Sequence, residues 1–325
     1  MAGQFTGRRV SVGLGKEATR GTGVAPTEWA PHTSLSFDDK AEKADLTDAM
    51  GVIDDSNETR LVSKWGEGSI EGNVRGDSFG LILYAMMGAI SSAVIETTAY
   101  QHTFTESQTN NHQSLTIVAA DPIGSSRFVN AVLNSLEIKV DINAVVTYTA
   151  EFMSKTSKGT TATASFSAEP VFTSTMACMK LADAVGGLTA ATTIPLKGFS
   201  ITFTKNVLKN DVTCTNEPED FFNQDFMVEG EFSLDLTDRT YREYMRANTY
   251  QALRMAIQDN GTTIGATSHP LLQIDLSRVD FRGWEADRPI DGISTQSVSF
   301  KGHTDIANSL DIVNSILLNN TTTSY

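Results

Sequence analysis

Glu67 and Glu71 are the carboxylates that most invite a chemical reading, because two acids close in sequence can act as general acid and base, for instance in glycoside hydrolysis. Their setting, Glu67-Gly-Ser-Ile-Glu-Gly-Asn-Val-Arg75, alternates in the manner of a strand. Glu67, Ser69, Glu71 and Asn73 share a wet face, and Gly68, Ile70, Gly72 and Val74 a packed one. Four residues along a strand span about 13 Å, wider than the usual acid–base separation, so each acid would need a partner from a distant segment. Trp29, Trp65 and Trp284 could stack on sugars but are scattered along the chain.

The other reactive residue types are no better arranged. His32, His102, His112, His269 and His303 form no HxH, HExxH or HxxxH pattern, so no local zinc site is expected. Val12-Gly-Leu-Gly-Lys16 has the wrong spacing for a phosphate-binding GxxxxGK[ST] loop. Asp38-Asp39 and Asp54-Asp55 could attract a divalent cation, but without EF-hand spacing they read as solvated loop acids. There is no GxSxG elbow and no local Cys-His signature. Cys178 and Cys214 are too few for a disulfide framework and read as buried free thiols in a reducing compartment. No catalytic residue, cofactor or metal is expected. Missing motifs lower the case for an enzyme without removing it, since active sites often draw on distant segments.

Composition narrows the class further. The chain has 325 residues, 40% of them hydrophobic and 20% charged, in the range of a folded soluble protein. Abundant Thr, Ser, Gly, Asn and Val with little Pro favour strands and turns. The net charge of −14 disfavours ordinary nucleic-acid binding, which depends on Lys and Arg displacing counterions from phosphate. The segment Met1-Ala-Gly-Gln-Phe-Thr-Gly-Arg-Arg9 lacks an apolar run, so no secretory leader is expected and folding in a cytoplasm is. The longest apolar run, residues 79–90, is too short to span a bilayer.

The elements that would carry these side chains are mostly strands. After an irregular opening to about Pro31, a short strand is predicted over residues 33–37. A long polar loop follows over residues 38–64, with eight acids against two bases between Asp38 and Glu58. Loops of that length are uncommon and usually functional or disordered. The Glu-Gly strand then leads to Asp77, which can cap a helix over residues 78–90, where Phe79, Ile82, Leu83, Met86 and Ile90 fall at helical spacing. Strands are predicted over residues 100–105, 114–120, 132–142 and 145–153, the last two joined as a hairpin through Ile142-Asn-Ala-Val145.

The second half repeats the plan. A strand over residues 195–205 is followed by a polar, acid-bearing stretch over residues 206–225. Then comes Glu229-Gly-Glu-Phe-Ser-Leu-Asp-Leu236, which superimposes on Glu67-Gly-Ser-Ile-Glu-Gly-Asn-Val74 at its Glu-Gly start and at Ile70/Phe232 and Val74/Leu236. Asp238 can cap a helix over residues 239–248, and strands are predicted over residues 251–258, 271–281 and 293–303. Residues 305–325 fit a helix or a closing strand, with the strand preferred. The order points to tandem duplication of one β unit carrying one helix, with units at residues 1–157 and 170–325 joined by a Thr/Ser/Ala-rich linker at 158–169.

Several of these stretches resemble a major tail tube family of long-tailed bacteriophages. They are Gly15-Lys-Glu-Ala-Thr-Arg-Gly-Thr-Gly23, Pro26, Trp29, Ser34-Leu-Ser-Phe-Asp-Asp-Lys40, Lys64-Trp-Gly-Glu-Gly-Ser-Ile-Glu-Gly-Asn-Val-Arg75, Asp77-Ser-Phe-Gly80, Gln101-His-Thr-Phe104 and Lys197-Gly-Phe-Ser-Ile-Thr-Phe203. The resemblance covers most of the chain and is most specific over residues 64–75. It implies a mainly β fold of two tandem β-sandwich or half-barrel domains, each with one flanking α-helix. Such domains join edge to edge into rings whose inner sheets close into one barrel, and the rings stack. Relatives with one domain form hexamers; two domains per chain imply a trimer with pseudo-sixfold symmetry.

On that resemblance the wet strand face would line a lumen, with Glu67, Glu71, Glu229, Glu231 and Asp235 as candidates; the alternative is that these acids face the outside or neighbouring subunits. The long loops would reach a neighbouring ring, through Asp38, Asp39, Asp45, Asp48, Asp54 and Asp55 in the first half and Asp211, Glu217, Glu219 and Asp220 in the second. The implied partners are copies of the chain itself, a tape-measure protein and phage DNA within the lumen without specific DNA binding, and tail terminator and distal tail proteins, with no membrane. The implied location is the virion tail, made in the host cytoplasm. The rival readings are another assembly protein, such as a capsid decoration, surface-layer or fimbrial subunit, and a carbohydrate-active β enzyme.

Overall fold

Apolar–polar alternation makes strands of most of the chain, and a computed structural model describes them over residues 4–325. Residues 1–3, the first part of the opening segment, lie outside the described residues. The first half contains β1 (Ser11–Lys16), β2 (Glu28–Ala30), β3 (Ser34–Leu35), β4 (Asp38–Leu46), β5 (Glu58–Asn73), α1 (Gly80–Met87), β6 (Gly88–Glu96), β7 (Ala99–Glu106), β8 (Leu115–Ala120), β9 (Ser125–Asp141), β10 (Thr147–Ser154) and β11 (Lys158–Thr160). The second half contains β12 (Ala177–Ala182), β13 (Thr193–Ile194), β14 (Gly198–Thr204), β15 (Leu208–Asn210), β16 (Asp220–Phe222), β17 (Met227–Asp235), α2 (Thr240–Ala247), β18 (Gln251–Gln258), β19 (Leu271–Asp287), β20 (Thr295–His303) and β21 (Val313–Asn320).

All named pairings are antiparallel and follow one scheme twice. In the first half β5 pairs with β10, β10 with β9, β9 with β8, and β8 with β1. In the second half β17 pairs with β20, β20 with β19, β19 with β18, and β18 with β12. The helix of each half packs on the matching long strand, α1 on β9 and α2 on β19. The two 17-residue strands, β9 and β19, each carry a register shift near their middle. Such a bulge bends a strand and lets it pass from one layer of a sandwich to the other.

The halves are joined strand to strand. β14 pairs with β9 along its whole length, giving a sheet in the order β4–β5–β10–β9–β14–β17–β20–β19. No strand pairing closes this sheet on itself among the described residues. One face of it is apolar. Ile70, Ala150, Leu136, Phe203, Ile201, Phe232 and Val298 are all buried, and with α1 they form a single core. Each fully buried aliphatic or Phe side chain contributes about 1.5–3 kcal/mol of burial. The segment after β11 is tied to the first half rather than free. Phe172 is fully buried, its amide donates to Val74 O at 3.2 Å, and its carbonyl accepts from the Val146 amide at 2.9 Å.

Several elements differ from the sequence-based expectation. Residues 38–64 are not a loop but a β4–β5 hairpin arm, and residues 206–225 hold the short β15–β16 hairpin. The first helix ends at Met87, because Gly88 adopts φ +82°, and the apolar run continues as β6. Asp77 does not cap it: the Asp77 carboxylate accepts instead from the Thr321 amide at 3.2 Å. Asp238 does accept from the Thr240 amide at 2.9 Å at the start of α2. Cys178 and Cys214 are free thiols as expected, but exposed rather than buried. Residues 313–320 form the closing strand.

Candidate functional site

The wet face of the main sheet gathers the acids that alternation assigned to it. Residues directly opposite in an antiparallel pair project on the same side. Glu71 stands opposite Thr149, Thr149 opposite Glu137, Glu137 opposite Thr202, and Thr202 opposite Glu229. One row of side chains therefore crosses from the first half to the second. The next row runs from Asn73 through Thr147, Lys139 and Ser200 to Glu231. Glu67 lies on the same face of β5, and Asp235 on the same face of β17. All five candidate acids thus share one surface, as do Glu137, Asp141, Glu151, Glu285 and Asp287, which the motif-based reading of the sequence does not single out.

The rest of that face is hydroxyls and a few bases. Lys139 bridges Asp141 at 2.9 Å, Lys301 bridges Glu229 at 3.0 Å, and Lys197 bridges Asp235 at 3.3 Å. The hydrogen bond and charge of Asp141 raise the pKa of the Lys139 ammonium. Ser135 donates to Glu151 at 2.7 Å, Trp65 Nε1 to Glu67 at 2.7 Å, and Ser297 to Glu231. Glu71, Glu137, Glu285 and Asp287 take part in no ion pair among the described residues, so their charge projects into solvent. Such a surface repels phosphate and offers a polyanion little to bind.

The arm is the second feature of note. β4 and β5 pair from Asp38↔Glu67 to Leu46↔Glu58, so the hairpin extends about 25 Å before a turn at residues 47–57. Every residue of β4 is exposed. Asp45 accepts from the Thr59 hydroxyl at 2.8 Å, and Asp39 from the Ser157 amide at 2.8 Å and hydroxyl at 2.6 Å. Asp38 begins the arm, and Asp48, Asp54 and Asp55 stand exposed at its tip. Beside them Met50, Val52 and Ile53 are bare, Ile53 completely so. An apolar cluster held that far from the core signals a contact surface, and its sequence trace is the Met50-Gly-Val-Ile53 run inside an acidic stretch.

The second-half acids are differently placed. Glu217 bridges Lys64 at 3.0 Å, and the Lys64 amide donates to Asn216 O at 2.8 Å, so this segment braces the base of the arm. Lys209 lies 4.0 Å from the centre of the Trp65 ring, while bridging Asp211 at 3.1 Å. Glu219 accepts from Asn210 at 3.3 Å. Asp220 sits in an internal joint: Arg20 contacts it at 2.7 Å and Asn130 donates to it at 2.8 Å. Burial raises the Asp220 pKa, but hydrogen bonds from Arg20, Asn130 and the Phe221 amide outweigh it and hold the carboxyl below its ordinary value.

The histidines are engaged in the framework. His102 is buried between Ser92 and Asn320, His112 contacts the Met86 and Ser107 carbonyls, and His303 lies 3.1 Å from Asp280. Among the described residues no group of three His, Cys, Asp or Glu side chains is placed to hold a metal. Trp29 packs on Phe166, Trp65 lies under Lys209, and Trp284 donates to Gln296, so the tryptophans build no common cleft.

A family model described as phage tail tube protein matches residues 7–302, nearly the whole chain. The chain belongs to that family, whose role is structural and whose place is the phage tail. Comparison with curated proteins finds no match.

Proposed function

We propose that this member of the phage tail tube family polymerises into stacked rings, with the wet face of its main sheet turned inward around a channel that passes phage DNA into the host. The observation that carries the reading is the continuous row from Glu71 through Glu137 to Glu229, which spans both halves on one side of one sheet. Closing such sheets into a ring buries their open edges. The lining of carboxylates and hydroxyls then lets DNA slide without adhering.

Each chain contributes two tube domains, residues 1–157 and 170–325, joined through residues 158–169. Three chains supply six domains to a ring with pseudo-sixfold symmetry. The β4–β5 arm, tipped by Met50, Val52 and Ile53, reaches the adjacent ring, while the β15–β16 segment steadies its base. The chain's partners are copies of itself, a tape-measure protein and DNA in the channel, and terminator and distal tail proteins at the ends. Assembly takes place in the host cytoplasm, and the chain has no catalytic role.

Electron microscopy of the purified, concentrated protein tests this reading. Hollow tubes or stacked rings, with a single-ring mass of three chains, are expected. A protein that stays a compact monomer at all concentrations contradicts it.

A further inference from the structure

The repeat leaves one edge filled inside the chain and its equivalent bare. On β9, residues 135–139 are paired on both sides, with β10 on one edge and β14 on the other. On β19, the equivalent residues 283–287 pair with β20 alone. The equivalence is fixed by the register shifts, which place Ser135 opposite Glu151 just as they place Gly283 opposite Ser299. It is fixed again by the turns that follow, Ile142-Asn-Ala-Val145 and Ile290-Asp-Gly-Ile293.

The strand that fills the β9 edge also has a bare equivalent. β14 lies between β17 and β9. Its counterpart is residues 34–40, which pair with β5 in the same register: Leu35 stands opposite Ile70 as Phe199 stands opposite Phe232. Asp38 stands opposite Glu67 as Thr202 stands opposite Glu229. The other edge of residues 34–40 has no strand partner among the described residues. The two unfilled edges are the two ends of the main sheet.

The turns record the difference in cover. Ile142 and Val145, beside the filled joint, are 56% and 37% exposed, whereas Ile290 and Ile293 are 100% and 71% exposed. Leu196, just before β14, shares a groove with Ile142, and its equivalent before β3 is His32. Apolar side chains this bare at a sheet end mark a contact surface.

We propose that residues 34–40 of one copy pair antiparallel with residues 283–287 of a second copy, in the register of the β14–β9 joint inside the chain. Carried across by the repeat, that register sets Ser36 opposite Asp287, Phe37 opposite Ala286, Asp38 opposite Glu285, and Lys40 opposite Gly283. Phe37 and Ala286 fall on the core side of the extended sheet. On the wet side Asp38 meets Glu285, a like-charge pair that Lys40, diagonal to Glu285, offsets. The occupant is a second copy of this chain because its own residues 33–37 carry the sequence equivalent of the strand already accepted at β9.

This inference rests on the ring-forming reading and adds to it a joint and a register. Its test is disulfide trapping after assembly. With the exposed Cys178 and Cys214 replaced by Ser, the pair Ser36→Cys and Asp287→Cys is compared with the offset pair Ser36→Cys and Gly283→Cys. Directly opposite strand residues are close enough for a disulfide, and residues displaced by four positions are not. Oxidised polymer of the first pair is expected to run as a ladder of covalent multimers on a non-reducing gel, and that of the second as monomer. Hydrogen exchange on the unsubstituted protein gives an independent reading: amides of residues 283–287 are expected to slow in polymer relative to monomer. Tubes that give no ladder from the first pair, or a ladder from the offset pair, or free exchange at residues 283–287, overturn the register while leaving the tube reading intact. A chain that never polymerises overturns both.

Discussion

Glu169 ties down the turn that leads into the first helix, its carboxylate accepting from the Ser78 amide at 2.8 Å and the Ser78 hydroxyl at 2.8 Å. It also accepts from the Asp77 amide at 2.9 Å. The anchor thus comes from a residue more than ninety positions away, at the end of the segment that joins the two halves. Glu169→Ala is expected to destabilise the protein by about 1–3 kcal/mol, the usual cost of leaving enclosed donors without a partner. Urea denaturation checks this, and an unchanged midpoint would show that the contact adds nothing.

Glu28 faces the same cluster. Burial, followed by the charges of Glu169 and Asp77, raises its pKa from 4.5 to about 7. A carboxyl raised in the folded state binds a proton that the unfolded chain has released. Its favourable contribution is therefore complete below about pH 4.5 and lost as pH rises through about 7. Glu28→Gln should melt higher than wild type at pH 8 and match it at pH 4. Equal melting shifts at both pH values would show that Glu28 is ordinary.

Gly80 is required by Tyr325. A Cβ on Gly80 would lie 2.1 Å from Cζ of the Tyr325 ring, which packs edge-on against His102 at 4.8 Å between centroids. Gly80→Ala must expel that ring, at a cost of about 1–3 kcal/mol. The same substitution in a Tyr325→Ala background should cost far less, and a double-mutant cycle measured by denaturation reads the difference.

The strand plan is legible in the sequence because one buried face leaves a period-two signal. Ile70, Val74, Phe232 and Leu234 carry that signal, and the Glu-Gly echo marks β5 and β17, which hold matching places in the two pairing schemes. The arm is not legible, because every residue of β4 is exposed and no face of it selects apolar side chains. The first helix is shorter than its apolar spacing suggests because Ile90 continues an apolar run that Gly88 breaks. Asp77 has the right spacing for a cap, but tertiary contact with Thr321 claims its carboxylate. Among the wet-face acids, Glu137 and Asp141 alternate with buried Leu136, Ile138 and Val140. That alternation is enough to place them beside Glu71, although no Glu-Gly motif marks them.

Arg254 and Asp275 form the most enclosed ion pair of the second half. Two hydrogen bonds of 2.7 and 2.8 Å join them, and the Asp275 side chain is only 4% exposed. Asp275→Ala leaves the enclosed guanidinium without its carboxylate, which typically costs about 3–5 kcal/mol. A loss below about 1 kcal/mol, the range of an exposed pair, would mean that water reaches the site.

Glu71 and Glu231 offer the sharpest test of an inward-facing wet surface. The Glu71 carboxylate accepts no hydrogen bond and joins no ion pair among the described residues, and both residues lie on strands whose opposite side is core, so reversal to lysine leaves the packing alone. If this surface lines the channel, Glu71→Lys with Glu231→Lys places new cations along the DNA path in every subunit. Each phosphate that a new lysine neutralises should steepen the salt dependence of DNA retention by roughly 0.9 in log–log slope. Phage carrying the double reversal should assemble tails of normal length yet eject DNA more slowly at low salt than at high salt. Glu71→Gln with Glu231→Gln removes charge without supplying a cation, and should eject at nearly the wild-type rate. Normal assembly with unchanged, salt-independent ejection in the lysine variant would place this face outside the channel.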